Sequence, residues 1–260
     1  MLKRVVVGSA IAAASWYAFY RVTRWRATWG VDPAETEGSL PGDELVPEPT
    51  VSDTRGITID APPAAVWPWL LQLGYGRGGW YSYDQLDMKG RSADVILPEH
   101  QSLAVGDIVP TDPGGGFEVK VLDPERALVL MVDDELVARR RPPAEDGGEA
   151  TTAGIEASGR FMQASMPPRF AISWAFVLRP LDGGRTRLVE RMRGSFGEAT
   201  AGSRALGPLL GFGIFVMTQR QMLGLKWRVE RLTSIPVTPA GAPSGNGHAP
   251  ELAATVPAPG

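Results

Sequence analysis

The chain has 260 residues, 43% of them apolar, which is enough for one moderate domain with a packed core and additional segments. A formal charge of −3 gives it no overall basic character, and no nucleic-acid partner is expected. There is no cysteine and only two histidines, His100 and His248. This excludes disulfides, thiolate metal sites and cysteine nucleophiles and leaves little material for histidine chemistry, so neither a metal nor a cofactor is expected.

Val5 to Tyr20 carries no charge, with Lys3 and Arg4 before it and Arg21, Arg24 and Arg26 after it. The run is slightly short of a spanning helix of about 20 residues, but flanking Lys and Arg side chains can snorkel. Trp16, Tyr17 and Tyr20 cluster at one end, as interfacial aromatics do. Residues 1–26 are therefore expected to be a single-pass transmembrane anchor. A cleaved signal peptide and a soluble helix are the rival readings. Balanced flanking charges leave the side of the membrane open.

Residues 27–52 are acidic and Pro-containing and read as an extended linker. From 53 to 234 the pattern is that of one folded domain. Thr54 to Asp60 alternates as a strand, with Ile57 and Ile59 on one face. Pro62 and Pro63 open a helix with Val66, Trp67, Leu70, Leu71 and Leu73 as its apolar residues, and Pro68 is expected to kink it. A Gly-rich loop, GYGRGG, leads to a second short helix around Ser82 to Met88. Strands are expected at 106–110, 117–122 and 127–132, then a charged Pro/Gly loop over 133–153 and another strand over 155–163. Phe170 to Leu178 is a strand with Phe170, Ile172, Trp174, Phe176 and Leu178 on one face. Asp182-Gly183-Gly184 turns the chain into a return strand, Arg185 to Phe196. Leu206 to Leu232 is a long helix whose stripe runs through Phe212, Phe215, Val216, Gln219, Met222, Leu223 and Val229. Residues 235–260, rich in Pro, Ala and Gly, read as a disordered tail.

Helices outside a run of hairpins define an α+β fold. A curved antiparallel sheet of six or seven strands around a long C-terminal helix leaves room for an apolar cavity. This order, with ITIDAPPAAVWPWLLQLGYGRGGWYSYD (57–84), ILPEHQSLAVGD (96–107), WAFVLRPLDGGRTRLVER (174–191) and LPGDELVPEP (40–49), resembles the SRPBCC superfamily. That superfamily has START-related helix-grip domains, including polyketide cyclase/dehydrase-like proteins, and the likeness is to a bacterial branch of it. The resemblance implies a helix-grip fold. Its functions range over lipid transfer, cyclisation and hydrolysis, so it does not fix the chemistry.

The loop glycines lack the Lys-Ser/Thr of a phosphate loop and follow a helix, so a tight interhelical turn is the expected role. The resemblance places the following helix pair at one end of the cavity, which makes Trp80, Tyr81 and Tyr83 candidate ligand-binding residues. Trp174 and Phe176 on the strand and Phe215 and Gln219 on the long helix are further candidates. Ordinary core packing is the alternative for each. Glu190 shares a parity with Leu188 and Met192, and an inward carboxylate would be desolvated and tuned for proton transfer. A bulge turning it outward and a buried salt bridge are its alternatives. Asp84 and Asp94 are weaker acid candidates, and His100 reads as a loop residue. Arg187, Arg191 and Arg193, of opposite parity, read as a solvated sheet surface.

Three functions follow. The first is membrane-tethered binding of a hydrophobic small molecule or lipid. The second is a cyclase or dehydratase acting on a polyketide-like substrate, and the third is a structural or regulatory domain without a ligand. Residues 206–217 are apolar all round, and Leu209, Ile214 and Met217 are expected to touch the membrane or gate entry from it, unless other segments cover them.

Overall fold

A computed structural model describes residues 17–19, 21–87, 91–112, 114–140, 169–198 and 201–233. Strands β1 (Val51–Ile59), β2 (Ile108–Val109), β3 (Phe117–Asp123), β4 (Ala127–Asp133), β5 (Phe170–Leu181) and β6 (Arg185–Phe196) form one six-stranded antiparallel sheet. Its order is β1-β6-β5-β4-β3-β2. The helix Pro63–Leu71 and the short helix Asp84–Asp87 come between β1 and β2, and the helix Ala201–Thr233 closes the described chain. The architecture is α+β, a curved sheet with a long C-terminal helix.

Local chemistry accounts for these elements. Pro63 opens its helix at the first position, where a missing N–H costs nothing, and Pro68 lies inside it. Arg77, in the glycine loop, donates to the carbonyls of Leu71 and Leu73, so a side chain satisfies acceptors left open at that helix's end. Gly183 and Gly184 both adopt positive φ in the turn between β5 and β6, the geometry that matches the twist of the flanking strands.

The two faces of the sheet follow from its register. Arg55, Glu190, Phe176 and Leu128 pair in one row across β1, β6, β5 and β4, and Asp53, Met192, Trp174 and Leu130 pair in the next. Directly paired residues share a face, so this inner face carries the main apolar core. Ile57, Ile59, Leu178 and Leu188 pack there with Met222, Leu225 and Val229 of the C-terminal helix.

Four expectations change. The acidic segment 27–52 is clamped to the outer face of the sheet and is not an extended tether. It contains the helix Pro33–Glu37, started by Asp32 in a reciprocal capping arrangement with Glu35, and it buries Leu40 and Val46. Consequently the arginine face of β6 is not solvated: Arg191 is only 3% exposed, and Leu40 packs with Val129, Ala175, Val177 and Val189 beneath the segment. The beginning of the expected loop 133–153 is a helix, Asp134–Arg140. The Asp133 carboxylate accepts from the Leu136 amide at 2.7 Å, and Arg139 and Arg140 sit where the helix dipole favours positive charge. Finally, the buried stripe of the C-terminal helix is Phe215, Thr218, Met222, Leu225 and Val229, whereas Phe212 and Leu223 are exposed. The stretch 206–217 is apolar all round, which concealed the phase in the first half of this helix.

The uncharged run that suggested an anchor lies almost wholly outside the described residues, as do the strand expected at 155–163 and the tail 235–260. Among the described residues no helix is long and apolar enough to cross a membrane. Residues 21–27 are helical and pack on the C-terminal helix, Trp25 meeting Phe215 edge-on at 5.2 Å between ring centroids.

Candidate functional site

Glu190 lies in the middle of β6 on the inner face, between Arg55 of β1 and Phe176 of β5. Its side chain is fully buried, and neither carboxylate oxygen accepts a hydrogen bond. The nearest cation is Arg55, whose Nη1 stands 3.9 Å from Oε1, within Coulombic range but beyond a hydrogen bond. Arg55 is engaged elsewhere: its Nη2 donates to Asp53 Oδ2 at 2.5 Å and its Nε to the Arg26 carbonyl at 3.2 Å. The Phe215 ring covers the guanidinium, 5.6 Å from its carbon to the ring centroid.

Burial pushes the Glu190 carboxyl up to about 7, against the pull of the Arg55 charge and the nearby Trp174 indole N–H; the Asp53 carboxylate raises it further. Near neutral pH this side chain exchanges between a hydroxyl donor and a charged acceptor. The Trp174 Nε1 is itself buried without a hydrogen-bond partner. Two carboxylate oxygens and an indole nitrogen are thus orphaned in one neighbourhood. Buried polar groups are paired in the great majority of cases, and each one left unpaired costs about 1–3 kcal/mol.

Aromatic rings surround this polar centre. Trp80, from the end of the glycine loop, stacks on Trp174 at 5.3 Å and 9°. Phe117 and Phe176 pack on the same indole at 5.6 and 5.0 Å. Trp80, Trp174 and Phe176 form one aromatic cluster beside Glu190, and Phe215 is linked to it only through Arg55.

Tyr81 shares the core with that cluster but turns its hydroxyl elsewhere, and the other candidates stand apart from it. Tyr81 is buried, and its hydroxyl donates to the Trp69 carbonyl at 3.0 Å. Burial raises its pKa, the Arg228 guanidinium covers its ring, and its carbonyl lies where a Cβ on Gly224 would fall, so it pins the loop to the C-terminal helix. Tyr83 is exposed and Gln219 half-buried. Asp84 accepts from the Ser92 hydroxyl at 2.6 Å, and Asp94 pairs with Arg91 and Arg228. His100 lies in a short 3₁₀ turn, where its carbonyl accepts from Arg77. Arg55 and Asp53 were absent from the sequence-derived candidates, although they share the parity of Ile57 and Ile59 on β1. Among the described residues no group of His, Asp or Glu side chains is placed to hold a metal ion.

Fold and site define an α+β protein whose six-stranded antiparallel sheet and C-terminal helix enclose a buried acid among aromatic rings. No protein-family model matches the chain, and no curated protein matches it. Solved structures similar to it include a hypothetical protein from Helicobacter pylori, 11% identical over 73% of this chain and 94% of its own, with a TM-score of 0.41. A structural-genomics protein from Mesorhizobium loti is 18% identical over 70% and 98%, with a TM-score of 0.36. The Aha1 dimer from Colwellia psychrerythraea is 14% identical over 68% and 98%, with a TM-score of 0.31.

Proposed function

We propose that the chain is a membrane-tethered helix-grip domain of SRPBCC type that binds a largely apolar small molecule or lipid on the inner face of its sheet. One observation carries this reading: Glu190 is wholly buried beside aromatic rings, with neither oxygen hydrogen-bonded and only a 3.9 Å contact to Arg55. A site that is apolar overall, with a few converging polar atoms, suits a ligand with a hydrophobic body and one hydrogen-bonding group. Glu190 and the Trp174 N–H would orient that group, and Trp80 and Phe176 would flank the body.

Extraction of the full-length protein purified from membranes, followed by mass spectrometry of the organic phase, tests this. The expected result is a near-stoichiometric apolar compound with one polar group, lost from Glu190→Leu and retained in Tyr83→Phe. No compound above the detergent blank in the wild type, or equal amounts in wild type and Glu190→Leu, would reject the assignment.

The raised pKa of Glu190 favours a second reading, in which the same carboxyl moves a proton on a polyketide-like substrate as a cyclase or dehydratase would. In that case the organic phase holds a substrate–product pair, and Glu190→Gln holds the substrate alone.

A further inference from the structure

We infer that the helix 21–27 and the first half of the C-terminal helix together form a lipid-facing surface that seats the domain directly on the bilayer. The inference rests on the tethered reading of the chain and does not depend on a ligand.

The seam between these two segments is well defined. Trp25 and Phe212 both pack on the ring of Phe215, at 5.2 and 6.3 Å. The Arg26 guanidinium lies so close to Gly211 that a Cβ there would fall 2.5 Å from its Nη1. Phe215, at the seam, is buried. Both flanks of the seam are apolar and open. Val22 and Trp25 are each 53% exposed and Phe212 48%, with Leu210 and Ile214 at 36%. Phe212 lies on one side of the seam and Leu210 and Ile214 on the other, about 200° away around the helix, and exposed apolar side chains on both sides of one seam mark an interaction surface.

The chain's own order selects the bilayer as the occupant. The uncharged run ending at Tyr20 leads straight into the helix 21–27, which already touches the domain at Trp25. The acidic segment that would have served as slack is bound to the outer face of the sheet through Arg187, Arg191 and Arg193. Nothing therefore separates the run from the patch. Arg21 and Arg24 are exposed on the same helix, where guanidinium groups meet lipid phosphates while the aromatic rings enter the interface. Of the three residues singled out by the sequence, Ile214 is exposed, Met217 is half-buried, and the side chain of Leu209 lies outside the described ones.

The chain contains no cysteine, so single cysteines can be labelled without background. Nitroxide labels at Phe212→Cys and Ile214→Cys in the full-length protein, reconstituted into phosphatidylcholine/phosphatidylglycerol vesicles, report collisions with oxygen and with a water-soluble nickel chelate. Val105→Cys, in the loop before β2 at the opposite edge of the sheet, is the reference. The expected oxygen-to-nickel ratio at 212 and 214 is at least fivefold that at 105. A ratio equal to that at 105, with the protein still resisting carbonate extraction, would overturn this inference alone. Spin–spin broadening between copies would overturn it in favour of self-association. Release by carbonate would overturn the tether and this inference together.

Discussion

The two faces of β6 hold buried charge in opposite ways. On the outer face Arg191 donates to Thr54 Oγ1, to the Glu35, Thr36 and Gly38 carbonyls and to Asp43, at distances between 2.7 and 2.9 Å. Its neighbour Arg187 forms a bidentate pair with Glu35. On the inner face Glu190 accepts nothing. The carbonyls around Arg191 stand at the end of the helix Pro33–Glu37, where open acceptors and the dipole call for a cation. A saturated buried charge of this kind is architecture. A buried carboxyl left without hydrogen bonds adds nothing to the fold, and the proposed function rests on it.

The faces should answer substitution differently, and Arg191→Met is expected to show the largest effect. It leaves three carbonyls without their donor and Asp43 with only the longer contact to Arg193 at 3.5 Å, and loss of one partner from a buried pair costs about 3–5 kcal/mol. Urea denaturation at pH 7 measures it. A loss below 1 kcal/mol would mean that the acidic segment does not hold the sheet.

Glu190→Gln should act in the opposite direction. The native pKa of about 7 lies above the ordinary carboxylate value of 4.5. The stability linked to this group is therefore complete below pH 4.5 and is lost as pH rises through 7. That difference corresponds to about 3 kcal/mol between pH 4 and pH 8. The Gln variant should lack this decline and be the more stable protein at pH 8. An unchanged pH profile would show that Glu190 is paired in solution.

These two residues also show where sequence reasoning reaches. Period-two alternation along β5 and β6 placed Trp174, Phe176 and Glu190 inside, because parity is local. The partners of Arg191 were illegible: most are backbone carbonyls, which leave no mark on residue type, and they lie some 150 positions away. An acidic, Pro-containing stretch reads as tether when its charges have no visible partner, and its partners here are the arginines that read as solvent-facing. Arg55 is legible in principle, because it shares the parity of Ile57 and Ile59. Its meaning depends on Asp53 taking the guanidinium away from Glu190, and that is a matter of geometry.

Smaller effects sharpen the contrast. Thr54→Val removes one of the acceptors of Arg191 and should cost about 1 kcal/mol in urea denaturation, with little shape change. Glu35→Gln should have the smallest effect, a modest loss of stability at neutral pH that disappears on the acid side. Its hydrogen bonds to Arg187 hold the Glu35 carboxyl below the usual range, so its contribution is present above pH 4.5 and lost as pH falls through the depressed value. Thermal midpoints from pH 3 to 6 should therefore decline less steeply in the variant. A parallel decline would place the acid sensitivity elsewhere.

The claim that the inner face holds an unpaired acid is tested most directly by infrared difference titration of the full-length protein. A protonated carboxyl in an apolar site absorbs in a region free of ionised carboxylates. The expected wild-type spectrum contains such a band titrating near pH 7, absent from Glu190→Gln and unaffected by Glu35→Gln. A wild type in which no carboxyl band titrates above pH 5 would contradict the account, because Glu190 would then be ionised and paired like the charges on the outer face.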